Sequence, residues 1–499
     1  MKLTRHLLYA ALAGSLTLGS CAEDGEENYN RYEMQSLHAW IAQHRPELKD
    51  NFQPAGDSGY YVEVLEEGDP EKANPIGEGD MWVSFDFSAR DLSGNIVLTR
   101  NASEAKLLNT FTRYTRYVPY YRYCGSENSG LLEGAWLAMR NPLSLEGGKR
   151  TVRLREGSRV RLYMPSLLIG AGLAGSGGYE GEKSLAASRP MIAELAIRDT
   201  VNNPLRFEGN QIDLFCARNG GVDIYDKEEN PMPKDPLKDA NHPYRADSRR
   251  WVSACDTVAQ LYVNHRYDPT KEDGDCFDFP EPYDVGYAPY DDPQLDRKIA
   301  RALADRFHKT TPYKGAADLH ADSVGLDGSA KIWYIGRFLD GFIFDTNIDE
   351  VKELIYGEGY TSGDALSYTP SDGGLIQAFY YVIPHIQYGQ WASLLTISTQ
   401  AYGSSGKTGN TSTTTTGGSS MSSYYDYLNY LNYVNSYYNG YYGGYYGGYY
   451  NNYYGGYYGG YYNNYYYDDT STSTTTTTVS TEIPSFAPLI FQFYVEPKE

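Results

Sequence analysis

The run from Trp333 to Thr346 carries the residues most able to do chemistry. It places aromatic rings at Tyr334 and Phe344 and a carboxylate at Asp345 on either side of an Asp340-Gly341 turn. Read physically, it is a strand closing at Gly336, a hairpin turn, and a second strand ending in an aromatic–carboxylate pair. Such a set contains no activated nucleophile. Rings at alternating strand positions line an apolar pocket or fill a core, and the pattern alone leaves both readings open. Metal chemistry has no support either. Cys124, Cys216, Cys255 and Cys276 form no Cys-x-x-Cys pair, and no histidine stands at ligand spacing from them. In an oxidising compartment these four cysteines allow one or two disulfides, with pairing undetermined.

The motif resembles the tyrosine-threonine-glycine, aspartate-glycine and phenylalanine-aspartate signature of FKBP-type peptidyl-prolyl isomerases, and four further motifs follow in that family's order. Leu375-Ile376-Gln377-Ala378-Phe379 is similar to its floor helix, and Tyr388-Gly389 opens the next strand. Leu395-Thr396-Ile397-Ser398 with Ala401-Tyr402-Gly403 resembles the strand and tyrosine-glycine corner, and Ile483–Phe491 the closing strand. The resemblance implies an aromatic wall and floor of Tyr334, Phe344, Phe379 and Phe491. It implies that the Ile376 N–H and the Tyr402 hydroxyl hold substrate carbonyls, that Asp345 faces the carbonyl before the proline, and that Leu375 and Ile483 complete the rim. Catalysis is assigned to Tyr334, Phe344, Asp345, Tyr402 and Phe491, with no cofactor and no metal. This chain departs from the family at Ala378, which replaces a glycine, and at Phe379, which replaces a tryptophan. No arginine stands at the place that usually pairs with the aspartate.

A second, earlier match is weaker in its chemistry. Aligning Gly94 with Gly341 sets Phe87 at Tyr334, Val97 at Phe344 and Leu98 at Asp345. Leu131–Ala135 falls on the floor helix with Ala135 for the aromatic, Ile169-Gly170 on the tyrosine-glycine corner, and Ala193 on Phe491. The expected fold class is therefore α+β. It comprises two FKBP-like modules, each a twisted antiparallel sheet wrapped on a short helix, with the first module degenerate.

The supporting elements follow from periodicity. Met34, Leu37, Trp40 and Ile41 predict a helix ending near Pro46. Strand patterns cover 60–65, 81–87, 96–99, 152–154, 160–164 and 191–197, and resume at 258–265, 331–337, 342–345, 392–398 and 489–495. Leu295, Ile299, Leu303 and Phe307 lie four apart and predict an amphipathic helix. The prolines at 231, 233, 236 and 243 mark 206–250 as a linker carrying strands. The expected organisation is a degenerate module at 29–205, that linker, a strand-plus-helix extension at 251–328, and the isomerase module at 329–499. A Ser/Thr/Gly- and Tyr/Gly-rich insert at 404–481 interrupts the last module and lacks the aliphatic residues for a conventional core, which predicts a largely disordered or weakly ordered segment.

A net charge of −21 excludes phosphate-backbone binding and docking on anionic lipid. Residues 1–20 read as a signal peptide: Lys2 and Arg5 precede the apolar run Leu7–Leu18, which ends in Leu18-Gly19-Ser20-Cys21. That ending resembles a lipobox, which implies lipidation of Cys21. The acidic stretch at 21–28 resembles the surface-export tag of Bacteroidetes lipoproteins. The expected location is the outer membrane, lipid-anchored, on the cell-surface or the periplasmic face. Asp199-Thr200-Val201 and two similar triplets resemble an O-glycosylation motif of the same compartment. Expected partners are proline-containing polypeptides, with no nucleic acid. The expected function is a prolyl isomerase assisting folding of envelope or exported proteins; the alternative is a non-catalytic binding or structural subunit of an outer-membrane protein complex.

Overall fold

The computed structural model describes residues 24–126, 133–169, 190–222, 251–270, 294–307, 323–416 and 474–497, with breaks of one or two residues inside some of these spans, together with Phe277 and Phe279. It is an α+β structure in which one sheet plan occurs twice. The first half runs α1 (Asp24–His44), β1 (Phe52–Ala55), β2 (Ser58–Glu67), β3 (Met81–Asp91), β4 (Ile96–Leu98), α2 (Ala102–Leu107) and β5 (Tyr120–Cys124). It continues with α3 (Glu133–Arg140), β6 (Leu143–Leu145), β7 (Arg150–Val152), β8 (Ser158–Met164), α4 (Ser166–Ile169) and β9 (Met191–Val201). The second half runs α5 (Pro204–Arg218), β10 (Val252–Ser253), β11 (Leu261–Asn264), α6 (Leu295–Arg306), β12 (Ala330–Phe338), β13 (Ile343–Thr346), α7 (Asp349–Tyr356) and β14 (Leu366–Tyr368). Then come α8 (Gln377–Val382), β15 (Gln390–Thr396), β16 (Asn410–Thr416), β17 (Thr474–Ser480) and β18 (Leu489–Pro497).

The seven-stranded sheets have matching orders, β1-β2-β8-β9-β3-β4 with β5 on β3, and β10-β11-β15-β18-β12-β13 with β14 on β12. Their burial differs for a reason visible in the sequence. Along β3 and β9 buried and half-buried residues alternate, as expected of a sheet with one face on a core. In β15 and the first seven residues of β18 every position is buried. Helices α6 and α7 cover part of the outer face, packing Leu295, Ile299 and Leu303 with Trp391 and Tyr494. Helix α5 covers another part, packing Ile212 and Phe215 with Leu395 and Ile490. Arg337, buried in β12, ties this layer together by donating to Asp296 Oδ1 at 2.7 Å, Gln492 Oε1 at 3.0 Å and the Gly341 carbonyl at 3.1 Å.

Helix α5 corrects the linker reading at its start. Asn203 caps it by accepting the Arg206 N–H at 3.0 Å, and Pro204 occupies the first turn, where a missing N–H costs nothing. That cap was legible, but the prolines further on drew the whole stretch toward loop; residues 223–250 lie outside the described residues. The helix belongs to the second module by a repeated lock. Buried Glu33 of α1 accepts from Ser166 N at 2.7 Å and Ser166 Oγ at 2.8 Å, just after β8. Buried Glu208 of α5 accepts from Ser398 N, and from Ser398 Oγ at 2.7 Å, just after β15. Likewise β10 and β11 are members of the second sheet rather than an extension, with β11 paired to β15 from Leu261↔Thr396 to Asn264↔Ser393.

Burial raises the Glu208 pKa above its ordinary 4.5, against the pull of the Ser398 donors. The native state therefore holds this proton more tightly than the unfolded chain. Its contribution is full below 4.5 and is lost as pH rises through the native pKa. Glu208→Gln is expected to flatten the fall in stability over that window, measured as urea midpoints across the pH range. An unchanged slope would show that Glu208 does not titrate with folding.

Cys124 and Cys216 are buried free thiols and Cys255 is half-buried, while Cys21 and Cys276 lie outside the described residues. Burial pushes the Cys124 thiol up to about 11, so it is inert at neutral pH. No described helix is long and apolar enough to cross a membrane. A second structural unit, 359–361 and 411–478, contains most of the two-stranded sheet of β16 and β17. The tyrosine repeats at 424–467 lie outside the described residues, as do the residues read as a signal peptide.

Candidate functional site

Strand register brings the C-terminal residues together. Gly336 of β12 faces Asp345 of β13 on one side and Phe491 of β18 on the other, and Phe491 faces Leu394 of β15. The Phe491 ring becomes the hub. Phe379, from α8, lies 5.2 Å from it, Phe344 lies edge-on at 5.6 Å and Tyr334 lies at 6.0 Å, all within the range of attractive ring geometries. Gly336 is required by this packing. A Cβ there would meet the Phe344 ring at 2.5 Å, so any side chain would displace it.

Polar groups border the rings. The Tyr334 hydroxyl donates to Asp345 Oδ2 at 2.8 Å. Burial, then the Asp345 charge and that hydrogen bond, holds the Tyr334 hydroxyl far above its ordinary pKa. Burial and Asp345 likewise push Tyr402 up to about 12. Both phenols are therefore neutral donors at neutral pH. Ile376 is the N-cap of α8 with extended backbone, and Leu375 and Ile376 pack half-buried against the same apolar cluster as Phe379 and buried Ile483. Tyr402 also joins that cluster. All nine residues expected from sequence thus come from β12, β13, β18, α8 and the segment before it, and the loops before and after the insert, and they meet in one region.

Two residues were missed. Asn347 is buried: its Oδ1 accepts the Tyr334 N–H at 2.7 Å and its Nδ2 donates to the Ile332 carbonyl at 2.9 Å, fixing the strand that carries Tyr334. Lys352 is buried in α7. Desolvation lowers its pKa, opposed by the charges of Asp345 and Asp349. Its position lets it interact with Asp345, and its only sequence signal is a lysine beside Val351 on an otherwise apolar helix face.

The corresponding region of the first module has the same frame and different contents. Both central strands carry a bulge, after Ala89 and after Gly336. Ala89 pairs with Leu98 and Ala193 where Gly336 pairs with Asp345 and Phe491. The sheet register thus reproduces the alignment of Leu98 with Asp345 and Ala193 with Phe491. Trp136 packs half-buried against the first module's apolar cluster, and its indole N–H donates to the Gly125 carbonyl at 3.1 Å.

No protein-family model matches the chain, and no curated protein matches it. Among solved structures it is similar to the three FKBP domains of wheat FKBP73, at 8% identity over 88% of this chain and 94% of that one, with a TM-score of 0.20. It is similar to FkpA from Escherichia coli at 11% identity over 40% and 71% of the two chains, TM-score 0.22. A peptidyl-prolyl cis-trans isomerase from Pseudomonas syringae pv. tomato matches at 16% identity over 35% and 96%, TM-score 0.21. The fold class rests on the repeated sheets and helices themselves rather than on these superpositions. This is an α+β chain whose neighbours among solved structures are FKBP-type peptidyl-prolyl isomerases, one of them with three FKBP domains.

Proposed function

We propose that the second module is a peptidyl-prolyl cis–trans isomerase and that the first is a non-catalytic partner on the same frame. The observation that carries this reading is the Tyr334–Asp345 hydrogen bond bordering the Phe344, Phe379 and Phe491 rings. Rotation about an X–Pro bond crosses a barrier of roughly 18–20 kcal/mol, because amide resonance is lost at the twisted geometry. An apolar floor favours the less dipolar twisted amide, and fixed polar groups orient the peptide. Asp345 would face the carbonyl before the proline. The Ile376 N–H and the Tyr402 hydroxyl would hold flanking carbonyls, and the neutral state of Tyr402 supports its role as a donor. In the first module Leu98 stands for the carboxylate and Ala193 for the hub ring, so the chemistry is absent where the strands are retained. The full chain is expected to accelerate isomerisation of a proline peptide. Asp345→Ala should cut kcat/KM about 10- to 100-fold, the worth of one charge-assisted hydrogen bond in the transition state. Equal rates would refute the assignment.

The proposed setting is the outer membrane, with Cys21 carrying the lipid and envelope or exported polypeptides as clients. Cys21→Ser should move the protein from the membrane to the soluble fraction of fractionated cells.

A further inference from the structure

The walls of the proposed pocket are almost closed to solvent. Tyr334 is 9% exposed, Ile483 3%, Phe379 and Phe491 2%, and Phe344 1%. A prolyl ring cannot reach walls at that burial unless something moves. What lies against this region comes from the other module. Between β4 and β5 the first module sends out an arm, residues 99–119, in which Phe111 stacks on Tyr117 at 5.2 Å and the Thr112 N–H donates to the Tyr117 hydroxyl at 3.0 Å. Ala105 and Tyr117 are buried, and they belong to the apolar cluster of Phe344, Phe379 and Phe491, not to the first module's core.

Polar anchors hold the arm there. Arg116 grips Asp340 Oδ2 with Nε at 2.8 Å and Nη2 at 2.7 Å, while its guanidinium lies 4.1 Å from the Phe338 ring centre. Phe338 in turn lies 5.2 Å from Phe344. Arg113 donates to the Ile355 carbonyl at 3.1 Å. Thr481 links arm and pocket directly: its hydroxyl donates to the Tyr114 carbonyl at 2.7 Å and its N–H to the Phe344 carbonyl at 3.3 Å. At its foot the arm is tied to its own module by Arg90 and Glu104, 2.7 Å apart.

Resting on the isomerase reading above, we infer that this arm is a built-in cover of the second module's site, and that substrate gains access only when the arm is displaced. If only a fraction of molecules has the arm released, apparent activity falls to that fraction of the uncovered module's. The first module is then a regulator in cis, which gives its retained fold a use without chemistry.

The test uses the full chain. Arg116→Glu sets two carboxylates against each other at the main anchor and should raise kcat/KM roughly tenfold, a typical size for coupling between sites. Adding Asp340→Arg should restore the ion pair and bring the rate back toward wild type, and this return separates release of the arm from general damage. Amide hydrogen exchange at Thr481 should quicken in the single variant and slow again in the double. Equal activity in all three proteins, with the arm released in the single variant, would overturn the cover and leave the isomerase assignment standing. No activity in any of them, with the same exchange result, would overturn the isomerase assignment and this inference with it.

Discussion

Phe491→Ala is expected to cost about 3–5 kcal/mol of stability, the range for removing a buried phenylalanine, because the lost ring is the hub against which three others pack. The site has little freedom to collapse. Phe491 is held between β12 and β15 by its pairing with Gly336 and Leu394, so the strands cannot close over the void. A urea unfolding curve checks this, with Phe491→Leu as the comparison that keeps most of the volume. A loss below about 1 kcal/mol for the alanine variant would put it outside the range for a core aromatic and show that the ring is not structural. Phe491→Leu is expected to fold, and to lose activity through the changed floor.

Asn347→Ala is expected to be nearly as damaging although no ring is lost. It leaves the Tyr334 N–H and the Ile332 carbonyl without their partner in a buried strand, at about 1–3 kcal/mol for each group left unpaired. Tyr334 is then free to shift from its position beside Asp345. The expected signature is a lowered urea midpoint together with a fall in kcat in molecules that remain folded, since Asn347 acts through Tyr334 and does not reach substrate. A loss of stability with kcat unchanged would make Asn347 purely structural.

Much of this site was legible because its parts are local. The Asp340-Gly341 turn fixes the hairpin, and Gly341 adopts the positive φ that the turn needs. Alternation along β12 then sets which side chains share a face. The same logic sets Leu98 and Ala193 of the first module at the register positions of Asp345 and Phe491. Asn347 and Lys352 were not legible. A polar residue after a strand and a lysine in a helix read as solvated unless one knows that another element covers them. Helix α5 was overlooked because the prolines of 231–243 outweighed the Asn203-Pro204 cap that starts it.

By itself, the sequence determined the two sheet-and-helix frames and the residue types at the equivalent register positions of each. These depend on strand period, turn chemistry and helix caps, all interactions over a few residues. Only the tertiary structure decided that Glu33 and Glu208 repeat one lock, that Asn347 holds Tyr334 in place, and that Arg116 reaches Asp340. Those pairs are separated by 13 to 224 residues. No periodicity encodes contacts at such distances; they exist because burial in the assembled chain takes these polar groups out of water and leaves them to bond with one another.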